Sequence, residues 1–466
     1  LKMPERLGDE MFGHLQHGEL DQAVETGRKA LSAVETGYGP SHEKTAEAQA
    51  SVAFIELRAG NATQAETLFR KAILTRERLG ASDTLPLAIA CCGLAQTLQP
   101  SGNTVEAESL FRKAVTLLDR AWPSGHLQTA VALEGLGVIL SASNRGEEAE
   151  SLVTRALNIR KRLWGNDDPR LIGSHYACAL VCRRAGKFDA AAAAMQRVVT
   201  LTERAVGSDS ISLAAPLLNL ADCFDSCERY DEAEPAYRRA ISLQEHHIGT
   251  CSIELAGSLK SLALNRLSAG NMPEAESLLE RAVALFGLSP ASFPLEIASI
   301  DFMLGSFART RGQFRKAADL YRASLALREK TLPPDDPDTA ATLNNLSETE
   351  LQLGEPEPAE RHCREALRMR EHSLGIDHPA TQASMNSLAA MLVAANRNAE
   401  AEKLFTAALA SLERHPEDNA DTIAVIINNI GELFRKTGGY SKAEEFCRRA
   451  YEMRKSRHGE DSAEAA

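Results

Sequence analysis

The chain has 466 residues, 44% hydrophobic, 25% charged and only 5% aromatic, with a formal net charge of -12 and a pI near 5.6. Such a balance fits a folded chain whose helices pack through Ala and Leu. It argues against nucleic acid as a partner, which needs a dense basic surface to displace counterions. No stretch approaches 18 apolar residues, and Leu1-Lys2-Met3-Pro4 lacks the basic and apolar regions of a signal peptide, so a cytoplasmic protein without membrane insertion is expected.

The elements recur with a period of 42. One column is Ala in every unit: Ala23, Ala65, Ala107, Ala149, Ala191, Ala233, Ala275, Ala317, Ala359, Ala401 and Ala443. Seven residues later a second column is Ala in nine units, with Val198 and Ser324 as exceptions. Seven residues make two helical turns, so both columns share one face of a helix B. Five residues before the first column stands Gly18, Gly60, Gly102, Gly186, Gly270, Gly312, Gly354 or Gly438, with Asn144 and Asn396 in two of the other units. Both residue types tolerate a left-handed helix end, so each marks a turn. Upstream, an apolar column (Val52, Leu94, Leu136 and onward to Ile430) is followed at once by a small one (Ala53, Ala95, Gly137 and onward to Gly431), which lets the helices A approach closely.

Eleven helix-turn-helix units are therefore expected, at 4–37, 46–79, 88–121, 130–163, 172–205, 214–247, 256–289, 298–331, 340–373, 382–415 and 424–457. The first is the weakest match, with Glu10 in the apolar column and Met11 in the small one, and reads as a cap or truncated unit. Further along, Cys178 with Cys182 and Cys223 with Cys227 are four apart, so each pair shares a helix face and reads as buried packing. Scattered free thiols point to a reducing compartment. His246-His247 ends a helix B and reads as a solvated pair. The loops 333–338 and 374–379 carry Pro to stop a helix and Asp for capping, without the spacing of a calcium loop. Residues 459–462 repeat the loop pattern and 463–466 would begin another helix A. With a first residue other than Met, this gives the expectation of a fragment of a longer chain. A two-helix unit cannot bury its apolar face alone, so the units must stack into an all-α solenoid superhelix.

The order of Leu-small pair, Gly turn, Ala, an apolar or aromatic residue four later (Phe69, Phe111, Tyr237, Tyr321, Phe405) and Ala three later resembles the tetratricopeptide repeat. The longer period, with Thr342-Leu-Asn-Asn-Leu-Ser and Leu374-Gly-Ile-Asp-His-Pro, resembles its kinesin light chain subclass. The resemblance implies that helix A lines a concave face on which Asn residues grip the backbone of an extended peptide. An Asn amide suits this because it offers both a donor and an acceptor. The matching column, just before the Leu-small pair, holds Asn219, Asn345 and Asn429, and the one before it Asn344, Asn386 and Asn428. The last four units thus read as the best surface. Further along helix A the same face carries Arg183, Arg184, Arg309, Arg435 and Lys436 beside Asp222, Asp225, Glu348 and Glu432. That mixture favours a peptide bearing both charges, or a selective acidic one. The competing reading is that these Asn bond only their neighbours across repeats.

Catalysis needs a nucleophile, base and orienter, a metal site or a phosphate-cradling loop. The sequence shows no HExxH, no CxxC and no phosphate-loop signature, so neither an enzyme nor a cofactor is expected. The expected partner is a protein or peptide. Three roles fit: a peptide-receptor scaffold, a regulatory arm of a larger signalling protein with a protease or ATPase effector, and a structural spacer or self-assembling rod.

Overall fold

The computed structural model describes residues 2–80, 84–143, 145–414 and 416–458, and among these it holds twenty-two α-helices and no strand. They pair as α1 (Lys2–Gln16) with α2 (Leu20–Tyr38), α3 (Glu43–Arg58) with α4 (Ala62–Arg78), α5 (Thr84–Leu98) with α6 (Thr104–Ala121), and α7 (Leu127–Ala142) with α8 (Gly146–Trp164). Next come α9 (Ile172–Arg184) with α10 (Phe188–Val206) and α11 (Ala214–Asp225) with α12 (Tyr230–Ile248). A short 3-10 turn precedes α9 and another α11. The remaining pairs are α13 (Ile253–Ser268) with α14 (Met272–Phe286), α15 (Pro294–Thr310) with α16 (Phe314–Thr331), α17 (Pro337–Gln352) with α18 (Pro356–Leu374), α19 (Pro379–Ala394) with α20 (Asn398–Leu412), and α21 (Pro416–Lys436) with α22 (Tyr440–His458). The chain forms two compact units, Leu1–His247 and Ile248–Ala466. Within each, successive helices pack on one another along the sequence, the pattern of an all-α solenoid. No helix among the described residues is long and apolar enough to cross a membrane.

The turns form as the Gly column requires, with φ between 71° and 84° at all eight Gly. Asn396 takes the same left-handed conformation at φ 58°, and so does Glu228, the third exception, where a longer side chain tolerates it at a cost of about 1–2 kcal/mol. Asn144 and the residues 459–466 lie outside the described residues.

Ala columns let the helices touch, and size complementarity then sets the register. Phe69, Phe111, Tyr237, Tyr321 and Phe405 are fully buried. A Cβ on Gly93 would lie 2.3 Å from the Phe69 ring, and one on Gly135 2.4 Å from Phe111, so at these two joints the ring as placed leaves room only for Gly. Repeat one inverts the rule: Met11 replaces the small residue and is buried, and Gly27 stands at the ring position, where a Cβ would be 3.0 Å from the Met11 sulfur. The first repeat is therefore repacked around a different large-small pair, and α1 and α2 form a hairpin like the others.

A buried polar seam joins helix B of one repeat to helix A of the next. Arg160 bonds Ser174 and, at 2.8 Å, Glu134. Arg328 donates to Thr342 at 2.7 Å, and Arg370 to Ser384 at 2.7 Å and to the Ala380 carbonyl at 2.9 Å. Where the same helix B position holds Leu118, Phe286 or Leu412, the facing one is Ala132, Ile300 or Ile426, all buried. Outside, ion pairs step between repeats at a separation of 36 residues: Arg70 with Glu106 (2.6 Å), Arg112 with Glu148 (2.7 Å) and Arg239 with Glu203 (2.6 Å). Such exposed pairs contribute at most about 1 kcal/mol each.

Three repeats place a polar residue in a column of helix A that is otherwise apolar or Cys. Leu133, Leu217, Leu259, Leu343, Met385 and Ile427 are buried there, as are Gln49 and His175, while Asp301 is half-buried. Burial, reinforced by the charges of Lys161 and Arg197, holds the His175 imidazole down at about 4. Burial pushes the Asp301 carboxyl up to about 6.

Candidate partner-binding face

The helices A carry the candidate residues because a helix packed on both neighbours through its Leu and small columns leaves the column just before that pair half-open. Asn219 on α11 occupies it, half-buried, with its amide beside Tyr176 of α9, whose hydroxyl it holds down against the upward push of burial. Together with Val138, Leu180, Arg183, Met195 and Cys223 they line a recess of about 370 Å³ crossing repeats four to six. Arg183 stands exposed at its rim, its charge felt by Asp222. Asp222 is engaged below: the buried Tyr237 hydroxyl donates to it at 2.6 Å and to Asp225 at 2.7 Å. Burial raises the Asp222 carboxyl above its usual range, opposing the pull of that hydroxyl. Arg184, beside Arg183, turns back across the repeat boundary and donates to the Ser141 hydroxyl at 3.0 Å.

In the second unit several of the Asn residues bond across repeats, as the competing reading had it. Asn344 is buried; its amide donates to Glu348 at 3.0 Å and accepts from Ser384 at 3.2 Å, so it is withdrawn into the joint between repeats nine and ten. The reason is the Ser at 384, which also receives Arg370 and ties Asn344 to the polar seam. Asn429 donates to Asn386 at 2.8 Å across the next joint, leaving both half-buried. Asn345 is half-buried and Asn428 exposed, and neither amide makes a hydrogen bond among the described residues. Arg309 pairs with Glu348 at 3.3 Å, Arg435 with Glu432 at 2.6 Å on its own helix, and Lys436 is exposed. The last four repeats thus satisfy much of their own polarity. The apolar recess beside Asn219 was hidden because Val138 and Leu180 share the helix A column that holds Asp222, Glu348 and Glu432 in other repeats, and Tyr176 stands in the column of Asn344, Asn386 and Asn428.

Cys178 and Cys182 are buried on α9 as the helical spacing implies, whereas of the second pair only Cys223 is buried on a helix: α11 ends at Asp225, and Cys227 stands half-buried in the turn that follows. Burial pushes Cys178 up to about 12, which makes it a poor nucleophile.

The tetratricopeptide repeat pattern matches residues 44–120, 86–162, 171–246, 296–372 and 359–414, and a second pattern of the same description matches 423–464. Among solved structures, the apo form of RapI is similar with a TM-score of 0.53 at 14% identity, over 80% of this chain and 99% of that one. BtubC (BKLC) from P. vanneervenii is 22% identical over 50% of this chain and 94% of its own, with a TM-score of 0.42. A Podosopora anserina chain of kinesin light chain type, built from nearly identical TPR-like repeats, is 21% identical over 44% of this chain and 98% of its own, with a TM-score of 0.38. At such identities the likeness concerns the fold. No curated protein matches the chain.

Proposed function

The chain belongs to the tetratricopeptide repeat family, and from that premise we propose that it is a protein-interaction scaffold holding an extended partner segment on helix A of repeats four to six. The carrying observation is the recess of about 370 Å³ that combines an apolar floor with an Asn amide and an exposed Arg at its rim. Val138 and Leu180 offer apolar surface, the Asn219 amide has donor and acceptor capacity for a main-chain amide, and Arg183 favours a carboxylate. The segment we infer therefore bears a bulky apolar side chain and an acidic residue beside it. Asn345 and Asn428, with Lys436, supply a second set of contacts on the other unit. Nothing in this role requires catalysis, and we read the chain as a binding protein.

A peptide array or display selection against the folded chain tests this reading. Selected peptides are expected to pair an apolar with an acidic residue and to lose at least tenfold in affinity on R183E combined with N219L. Peptides that bind that variant equally well would place the binding face elsewhere.

A further inference from the structure

Five junctions carry an Asp in the inter-repeat loop and a basic residue near the end of the following helix B, at positions separated by multiples of the 42-residue period; Asp83, the Asp of the one whose basic residue is Arg120, lies outside the described residues. Three of them close as ordinary clasps: Arg204 on Asp167 at 2.9 Å, His372 on Asp335 at 2.7 Å and Arg414 on Asp377 at 2.8 Å. The junction into repeat six departs from this. His246 Nε2 stops 3.8 Å from one carboxylate oxygen of Asp209, and His247 Nε2 lies 3.9 Å from the other. Only here do two imidazoles stand side by side in sequence: Ala205 and Ser373 follow the basic residue of two clasps, and in the third His415 follows an Arg, which is no metal ligand.

We propose that Asp209, His246 and His247 form a divalent-metal site, taking zinc or a similar borderline ion. Two imidazoles and a carboxylate are a ligand set such ions favour. The three ligand atoms already lie within 4.8 Å of one another. Tetrahedral zinc, with ligands at about 2.0–2.2 Å, sets them about 3.3 Å apart, so ligand atoms that lie up to 4.8 Å apart close by about 1.5 Å at most. All three side chains can make that adjustment, with exposures of 76%, 67% and 33% for Asp209, His246 and His247. The rings are edge-on at 85° with centroids 4.8 Å apart. His247 Nε2 also donates to the Asp209 carbonyl, a bond that ligation through that nitrogen exchanges for the metal. The site lies at the C-terminal end of α12, where the helix dipole favours a cation. A bound ion ties the loop ahead of repeat six to the end of its helix B and keeps a coordination position open for water or a partner side chain.

The test is calorimetric titration of the tag-free, reduced full chain with zinc chloride, beside H247A, D209N, the double variant H246A/H247A and D335N, with circular dichroism confirming each fold. Exposed Cys251 and Cys447 also attract zinc, so the readout is the difference between variants. The expected result is one equivalent that weakens at least tenfold in H247A and D209N, vanishes in the double variant and persists in D335N, and cobalt in that equivalent shows no thiolate charge-transfer band. Identical isotherms for the parent and H246A/H247A overturn the proposal.

Discussion

Asp301 stands in α15 where six other repeats bury Leu, Met or Ile, and its carboxyl is raised to about 6 by burial alone. An unfolded Asp titrates near 3.9, and each tenfold change in proton affinity corresponds to about 1.4 kcal/mol, giving an upper bound of about 3 kcal/mol. Discounting for a half-buried group leaves roughly 1–2 kcal/mol. The folded pKa is raised, so the stabilising contribution is complete below about 3.9 and is lost as pH climbs through about 6. D301N keeps the shape of the protonated form without titrating. Urea unfolding at pH 4.5 and 7.5, followed by circular dichroism and by hydrogen exchange of the α15 amides, should find D301N more stable than the parent at pH 7.5. The gap should narrow by about 1 kcal/mol or more at pH 4.5. Hydrogen exchange matters because a repeat array opens in local units, and the effect belongs to the repeats around α15. A gap of equal size at both pH values would show that the ionised carboxylate is accommodated, and the reasoning would fail.

His175 gives the opposite slope: its folded pKa of about 4 is depressed, so its contribution is present above about 6.5 and disappears on acidification, and H175L should flatten the loss between pH 6.5 and 4 in thermal melts of the first unit. G93A forces a methyl group to within 2.3 Å of Phe69 and should cost about 1–3 kcal/mol, with F69L restoring part of it in a double variant. A double-mutant cycle of R370M and S384A, read from denaturant midpoints, should give a coupling of about 0.5–3 kcal/mol, whereas additive effects would mean that their 2.7 Å bond contributes nothing. N344A should destabilise the joint of repeats nine and ten by about 1–2 kcal/mol, and N428A, exposed and unbonded, should be silent in the same melt.

The fold was legible because its causes are local and repeated. An Ala every 42 residues marks a face where backbones must touch, in all eleven units, and in eight of them a Gly five residues earlier marks a turn of positive φ, so the two signals reinforce each other. Glu228 escaped because nothing about a lone Glu announces a left-handed conformation; only its register with the Gly column does. The site was less legible because an Asn on helix A is free or engaged according to a residue about 42 positions away. Asn344 and Asn345 are neighbours in sequence, yet Ser384 draws the first into the stack and leaves the second at the surface.

The polar seams follow from the same dependence between repeats. Near-identical Ala interfaces cannot by themselves tell one neighbour from another, because any helix B fits any helix A through small residues. Arg160, Arg328 and Arg370 each face a hydroxyl, at Ser174, Thr342 and Ser384, whereas Leu118 and Leu412 face Ala132 and Ile426. A register error that set one of these Arg against Ile426 would bury a guanidinium without its partner, which costs about 3–5 kcal/mol and exceeds what an exposed ion pair can return. Specific neighbour choice therefore resides in a few buried polar pairs, and the exposed ladder of ion pairs repeats too regularly to supply it.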